Sequence, residues 1–188
     1  MSDLWQRVQS TSKAALAAGH LLPIRTQCHV VPDAGIDFQV RVVESLTHKV
    51  ASPPAGASSG NPFLPYDAEL FVADLSATHV ALLNKFMVVP DHLLIVTREF
   101  QSQADPLTAE DFDAWAQCLR EYDAIGFYNS TPLAGASQPH RHMQLIPRIA
   151  EGPTAVLPIE GVLVSSPVAS GEVAECASLP FAHRWYRF

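Results

Sequence analysis

NSTPLAGASQPHRHMQ, residues 129–144, packs a turn and most of a strand into one short segment. Gln138 to Ile146 reads as a β-strand, in which residues i, i+2 and i+4 face the same side. That period predicts His140, His142 and Gln144 on one face, with Arg141, Met143 and Leu145 on the other. Just upstream, Gly135-Ala136-Ser137-Gln138 offers backbone N–H groups with little side-chain bulk, plus one hydroxyl. Such a turn makes an anion-binding concavity. Two imidazoles beside that cradle suit covalent phosphoryl chemistry: a neutral imidazole attacks phosphorus while fixed donors take up charge on the non-bridging oxygens. On spacing alone, two other readings stay open. One is a His-x-His metal pair, although no third ligand stands nearby. The other is a pair of ordinary polar strand residues.

Working outward, Ile125 to Tyr128 predicts a short strand, and residues 130–136 a turn region. Thr108 with Asp111 three residues later, ahead of Phe112, Trp115 and Leu119, marks a helix start that should run to about Asp123. Ala77 to Val89 and Leu93 to Thr97, split by Pro90-Asp91, predict a strand pair with a mostly buried face. Residues 51–65 hold four prolines, two glycines and three serines, and read as a flexible loop. Near the start, Leu4 to Ala18 predicts a helix stopped by Gly19. Gln27 to Val31 and Ile36 to Val43 predict a hairpin about Asp33-Ala34-Gly35, and the alternation of Ile36, Phe38, Val40 and Val42 predicts a half-buried strand. Residues 149–183 contain no Lys or Arg and form an irregular tail that supplies no cation to a phosphate site. Antiparallel strand pairs with separate helices make the class α+β, not a parallel doubly wound sheet.

Composition narrows the function classes. A length of 188 residues argues for a single domain over 1–188. With 48% apolar and 16% charged residues the chain can fill a core, which rules out wholesale disorder. A net charge of −7 has the wrong sign for a nucleic-acid coat, and no apolar run reaches the ~18 residues of a membrane span. Cys28, Cys118 and Cys176 form no CxxC pair, which favours a reducing, cytoplasmic setting. His20, His29, His48, His79, His92 and His183 are each expected to be structural.

Residues 129–144 resemble the signature of the histidine-triad superfamily in its His-x-His-x-Gln transferase branch. Asn61-Pro-Phe-Leu-Pro65, His79-Val-Ala-Leu-Leu-Asn-Lys-Phe86, His92-Leu-Leu-Ile-Val-Thr97 and Gly135 to Gln144 narrow it to the ATP adenylyltransferases, or diadenosine tetraphosphate phosphorylases. The similarity is strong from about Asn61 to Pro147. It implies a histidine-triad-like α+β fold and adenylyl transfer from diadenosine tetraphosphate to phosphate, giving ATP and ADP. It also implies small-molecule substrates, while charge and hydropathy argue against a nucleic-acid or membrane partner. Mg²⁺ would arrive on the polyphosphate, with no protein-bound metal. Residue by residue, His142 takes the position of the nucleophile. His140 and Gln144 take flanking positions that order the site and donate to phosphate. Asn129, Gly135, Ser137 and Gln138 match the phosphate cradle, Asn84 the ribose contact, and Lys49 is the candidate for the distal phosphates. His92 also matches a family position. Relatives continue into a further C-terminal segment that encloses substrate, which this sequence, ending at Phe188, is expected to lack. The branch shared with hexose-1-phosphate uridylyltransferases and a non-catalytic nucleotide-binding role are the alternatives.

Overall fold

The computed structural model describes residues 3–43, 60–121, 123–148, 157–164 and 168–187; Lys49 and residues 51–59 of the expected loop lie outside them. In chain order the elements are α1 (Leu4–Ala18), β1 (Thr26–Asp33), β2 (Ile36–Val43), β3 (Phe71–Asp74), β4 (His79–Leu83), β5 (Leu93–Thr97), α2 (Ala109–Glu121), β6 (Ala124–Phe127), β7 (His142–Pro147), α3 (Glu160–Val164), β8 (Val173–Ala174) and β9 (Trp185–Tyr186). Length led to an expectation of one domain; the chain packs as two compact units, residues 1–25 with 45–148, and residues 26–44 with 149–188.

The first unit is built on a five-stranded sheet of order β3-β4-β5-β7-β6, antiparallel at every pairing. This is the α+β, mainly antiparallel class expected. One face is covered by α1 and α2, whose Leu4, Val8, Ala114 and Cys118 join Leu93, Ile95, Met143 and Leu145 in a single buried cluster. Each fully buried leucine or isoleucine there contributes about 1.5–3 kcal/mol of transfer free energy. The other face carries a smaller cluster of Val80, Leu82, Leu94 and Val96 under Phe63. Strands buried on both faces read as continuous apolar runs, as β4 and β5 do.

Local signals act as expected. Gly19 ends α1 in the left-handed region (φ 80°), where the N–H of His20 reaches back to the Ala15 carbonyl. Thr108 and Asp111 form a reciprocal capping box: the Thr108 N–H donates to Asp111 Oδ2 at 2.7 Å, and the Asp111 N–H to Thr108 Oγ1 at 3.4 Å. Asp91 holds the β4–β5 turn at φ 58°.

Three expectations are corrected. β7 begins at His142 rather than at Gln138; His140 makes only an isolated bridge to Ser102. Pro139 has no N–H for a ladder, and residues 139–141 pair instead with residues 101–103 of the chain after β5. Strand β4 stops at Leu83, well short of Val89, because Asn84 turns the chain by accepting from the Phe86 N–H. Strand β3 was not foreseen from the sequence at all.

In the second unit β1 and β2 form a hairpin whose turn residues, Ala34 and Gly35, both have positive φ. Its half-buried face is the third correction. Ile36 is buried with Val162, Cys176 and Leu179, while Phe38, Val40 and Val42 are exposed. The irregular tail contributes α3 and the β8–β9 pair.

Candidate active site

Two neighbouring strands of the first unit hold His142 in place. Val96 of β5 is its register partner, and the alternation of β7 turns Met143 and Leu145 into the helix-covered core. His142 and Gln144 face the opposite way, into a cavity of about 440 Å³. Ser137 and Gln138 of the cradle turn also line it, as do Asn84 and Lys85 after β4. Apolar walls come from Phe63, Tyr66, Leu82 and Phe86. This volume and mixture suit a small organic ligand with a flat apolar part and a charged part.

The tautomer of the His142 imidazole follows from its surroundings. Its Nδ1 lies 2.8 Å from the His140 carbonyl, which can only accept, so Nδ1 carries the proton and Nε2 carries the lone pair. Burial lowers the pKa of His142 below the usual histidine value, against the opposing effect of that hydrogen bond. The ring is therefore neutral at pH 7.

His140 stays on the same side, since Phe63 packs against both rings at centroid distances of 5.4 and 5.5 Å, but it does not line the cavity. It is fully buried. The Asn61 Oδ1 accepts from the Phe63 N–H, which leaves Asn61 Nδ2 to donate to His140 Nδ1 at 2.6 Å. His140 Nε2 then donates to the Thr97 carbonyl at 2.7 Å, with Thr97 Oγ1 at 2.9 Å. With both ring nitrogens engaged, His140 has the ordering role of the two expected and no donor left for phosphate.

Gln144 is oriented by His92, a residue read as structural from the sequence. The chain of bonds starts at Asn84, whose Nδ2 donates to His92 Nδ1 at 3.2 Å. His92 Nε2 donates in turn to Gln144 Oε1 at 3.1 Å. Burial pushes the His92 pKa down to about 4, so this ring too is neutral. With its oxygen taken, Gln144 presents amide N–H groups to the cavity. Asn84 thus serves the turn, His92 and the cavity wall together.

The remaining expected residues divide. Ser137 and Gln138 are brought to the cavity with His142. Asn129 and Gly135 are not among its lining residues; they lie against each other, the Asn129 Nδ2 being 3.5 Å from where a Gly135 Cβ would stand. Gly135 sits at φ 92°, a conformation open to glycine and costly for other residues. Lys49 lies outside the described residues; the cavity's own cation is Lys85, 3.8 Å from Asp67. Sequence reasoning also missed Gln103 and the buried group behind the strand, where Asp111 joins His79 Nε2 and Arg141 Nη1, each at 2.9 Å. The sequence carries no local signal for Gln103, and it marks Asp111 only as the capping partner of Thr108. Among the described residues no cluster of three or more His, Cys, Asp or Glu is placed to hold a metal ion, and no helix is long and apolar enough to cross a membrane.

An antiparallel sheet that presents a neutral, carbonyl-tethered imidazole to an amide- and hydroxyl-lined cavity brings together the groups that nucleophilic chemistry on phosphorus uses. Comparison with known proteins is specific: residues 1–165 match the family of the Ap4A phosphorylase N-terminal domain, and the chain belongs to that family. It is similar to the diadenosine 5',5'''-P1,P4-tetraphosphate phosphorylase 2 of Saccharomyces cerevisiae, at 30% identity over 96% of this chain and 61% of the relative. It is also similar to Protein APA1 of the same yeast, at 31% identity over 77% of this chain and 49% of the relative. The chain therefore spans about half to three-fifths of the length of these curated relatives. Among solved structures, yeast Ap4A phosphorylase Apa2 in complex with Ap4A superposes with a TM-score of 0.75 at 27% identity, covering 97% of this chain and 64% of that one. The same yeast protein in complex with AMP gives 0.67 at 29% identity, covering 88% and 56%.

Proposed function

We propose that this chain carries the adenylyl-transfer site of a diadenosine tetraphosphate phosphorylase. The observation that carries the reading is the bond from His142 Nδ1 to the His140 carbonyl, which leaves Nε2 as the nucleophilic nitrogen in a cavity lined by Ser137 and Gln144. In the first step Nε2 attacks the α-phosphorus of diadenosine tetraphosphate. A P–N bond forms, the P–O bond to the β-phosphate breaks, and ATP leaves. Inorganic phosphate then attacks the adenylyl-histidine, the P–N bond breaks, and ADP is released with His142 restored. The Ser137 hydroxyl and the Gln144 amide donate to the non-bridging oxygens as charge builds there. Mg²⁺ comes with the polyphosphate of the substrate.

Phosphate is favoured over water as the acceptor. Water needs a positioned base, whereas Gln144, with its oxygen held by His92, offers only donors. The cavity's apolar walls would take the adenine, with Lys85 as a cation for the distal phosphates in addition to Lys49. Cys28, Cys118 and Cys176, which form no CxxC pair, favour a reducing, cytoplasmic setting.

Incubating the protein with diadenosine tetraphosphate, quenching at alkaline pH and mapping peptides should reveal an acid-labile adduct of one AMP on His142. His142→Ala should abolish adduct and turnover while nucleotide binding is retained. An adduct that survives His142→Ala, or cleavage to AMP and ATP that runs equally fast without phosphate, overturns the reading.

A further inference from the structure

Strands β6 and β7 pair in antiparallel register as far as Phe127 with Gln144. Continued by two residues, that register would set Asn129 opposite His142. It does not continue. The carboxamide of Gln103 occupies the gap instead. Its Oε1 accepts from the His142 N–H at 2.8 Å. Its Nε2 donates to the Asn129 carbonyl at 2.7 Å and lies 3.2 Å from the His142 carbonyl. A primary amide has the donor and acceptor of a peptide group, so this side chain bonds His142 as a residue of a neighbouring strand would.

Gln103 is itself locked in place. It is 3% exposed, its N–H donates to the Pro139 carbonyl at 2.9 Å, and its carbonyl accepts from the Tyr128 hydroxyl. Those anchors flank both sides of the opening: Pro139 precedes the imidazole pair, and Tyr128 ends the β6 arm. Beyond Asn129 the chain leaves to make the turn that carries Gly135 and Ser137.

We propose that Gln103 is a positioning residue: a one-residue substitute for a strand that holds β6 and β7 apart beside His142. The spacing it holds sets where the Nε2 of His142 stands relative to the Ser137 turn. The inference rests on the adenylyl-transfer reading for its kinetic consequence, and on the hydrogen bonds alone for its structural one. If the wedge is removed, Asn129 can zip onto His142 or water can enter. Either change shifts the nucleophile against its donors by a fraction of an ångström or more, and a misplacement of about 1 Å costs on the order of 100-fold in rate.

Two variants and one measurement on the unaltered protein test this. Gln103→Glu keeps the acceptor for the His142 N–H and loses both donors; Gln103→Met fills the space with neither. Single-turnover formation of adenylyl-histidine should fall on the order of 10- to 100-fold in Gln103→Glu, and at least as far in Gln103→Met, with KM for the dinucleotide changed less than about threefold. A merely structural role would lower the folded fraction and leave the per-site rate intact, which active-site titration separates. In the unaltered protein, the amide proton of His142 should exchange as slowly as those of Met143 and Leu145, because Gln103 protects it. Rapid exchange of that amide overturns the wedge even if neither variant folds, as does a folded Gln103→Glu with an unchanged single-turnover rate. Failure of the unaltered protein to form any adduct overturns the adenylyl-transfer reading instead, and the exchange experiment then decides the wedge by itself.

Discussion

Strands β2 (Ile36–Val43) and β7 (His142–Pro147) both begin with alternating polar and apolar residues and end in opposite situations. In β2 the apolar set fails to find a core: Phe38 is 41% exposed and Val42 is 50% exposed. In β7 the polar set is taken inside: His142 is 4% exposed and Gln144 is 9% exposed. Alternation decides which side chains share a face. What covers the face is decided by other elements. Strand β7 lies between β5 and β6 in a five-stranded sheet with α1 and α2 behind it, so even its polar residues lose water. Strand β2 has one partner, β1, and among the described residues only Ile36 reaches a cluster. Burial on β7 lowers the pKa of His142 and keeps its imidazole neutral.

The contrast breaks most sharply at Asp111. This carboxylate is fully buried between His79 and Arg141, and backbone and side-chain hydrogen bonds help hold its pKa below the usual carboxylate value despite the opposing cost of burial. Arg141 immediately precedes His142, the first residue of β7, so the charge behind the sheet and the imidazole in front belong to adjacent residues. Asp111→Ala leaves Arg141 buried without its partner and should cost about 3–5 kcal/mol in denaturant unfolding. A loss below about 1 kcal/mol would mean that water already reaches this group.

Acid should separate the two strands next. His92, His140 and His142 all have lowered pKa values in the folded protein, chiefly from burial, and His92 stands at about 4. Unfolded, each takes up a proton near 6.5. Below that pH the unfolded chain binds more protons than the native one, so stability present above pH 6.5 is lost as pH falls toward 4. The rate of loss approaches about 1.4 kcal/mol per pH unit for each histidine fully titrating in the unfolded state alone. Melting curves between pH 7 and 4.5 check this, and His92→Phe, if folded, should flatten the slope by about one proton.

A smaller effect is expected at Gly126, which pairs with Leu145 beside the site. A Cβ there would collide with the Trp115 indole of α2. Gly126→Ala should therefore destabilise by about 1–3 kcal/mol, the scale of an overpacked core, and Gly126→Ala combined with Trp115→Phe should recover part of the loss. Smallest of all should be Val40→Thr or Val42→Thr on the hairpin, within about 0.5 kcal/mol in the same unfolding assay. A cost above 1 kcal/mol would show that this face is covered after all, and would erase the contrast.

Sequence alone determined the parts that depend on neighbours along the chain. The helix over Leu4–Ala18 follows from apolar spacing and the left-handed stop at Gly19, and α2 follows from the Thr108–Asp111 box. The hairpin turn, the α+β class and the pairing of His142 with Gln144 on one face are likewise periodic or local, and the family resemblance was carried by contiguous motifs. Tertiary structure decided what depends on distant residues meeting. Only packing showed that His140 is tied to Asn61 and Thr97 and withdrawn from the cavity. The same holds for His92, 52 positions before the Gln144 amide it orients, and for Gln103, 39 positions before the His142 backbone it completes. A hydrogen bond needs two groups about 3 Å apart in the right orientation, and no pattern of spacing within one strand encodes the distance between two.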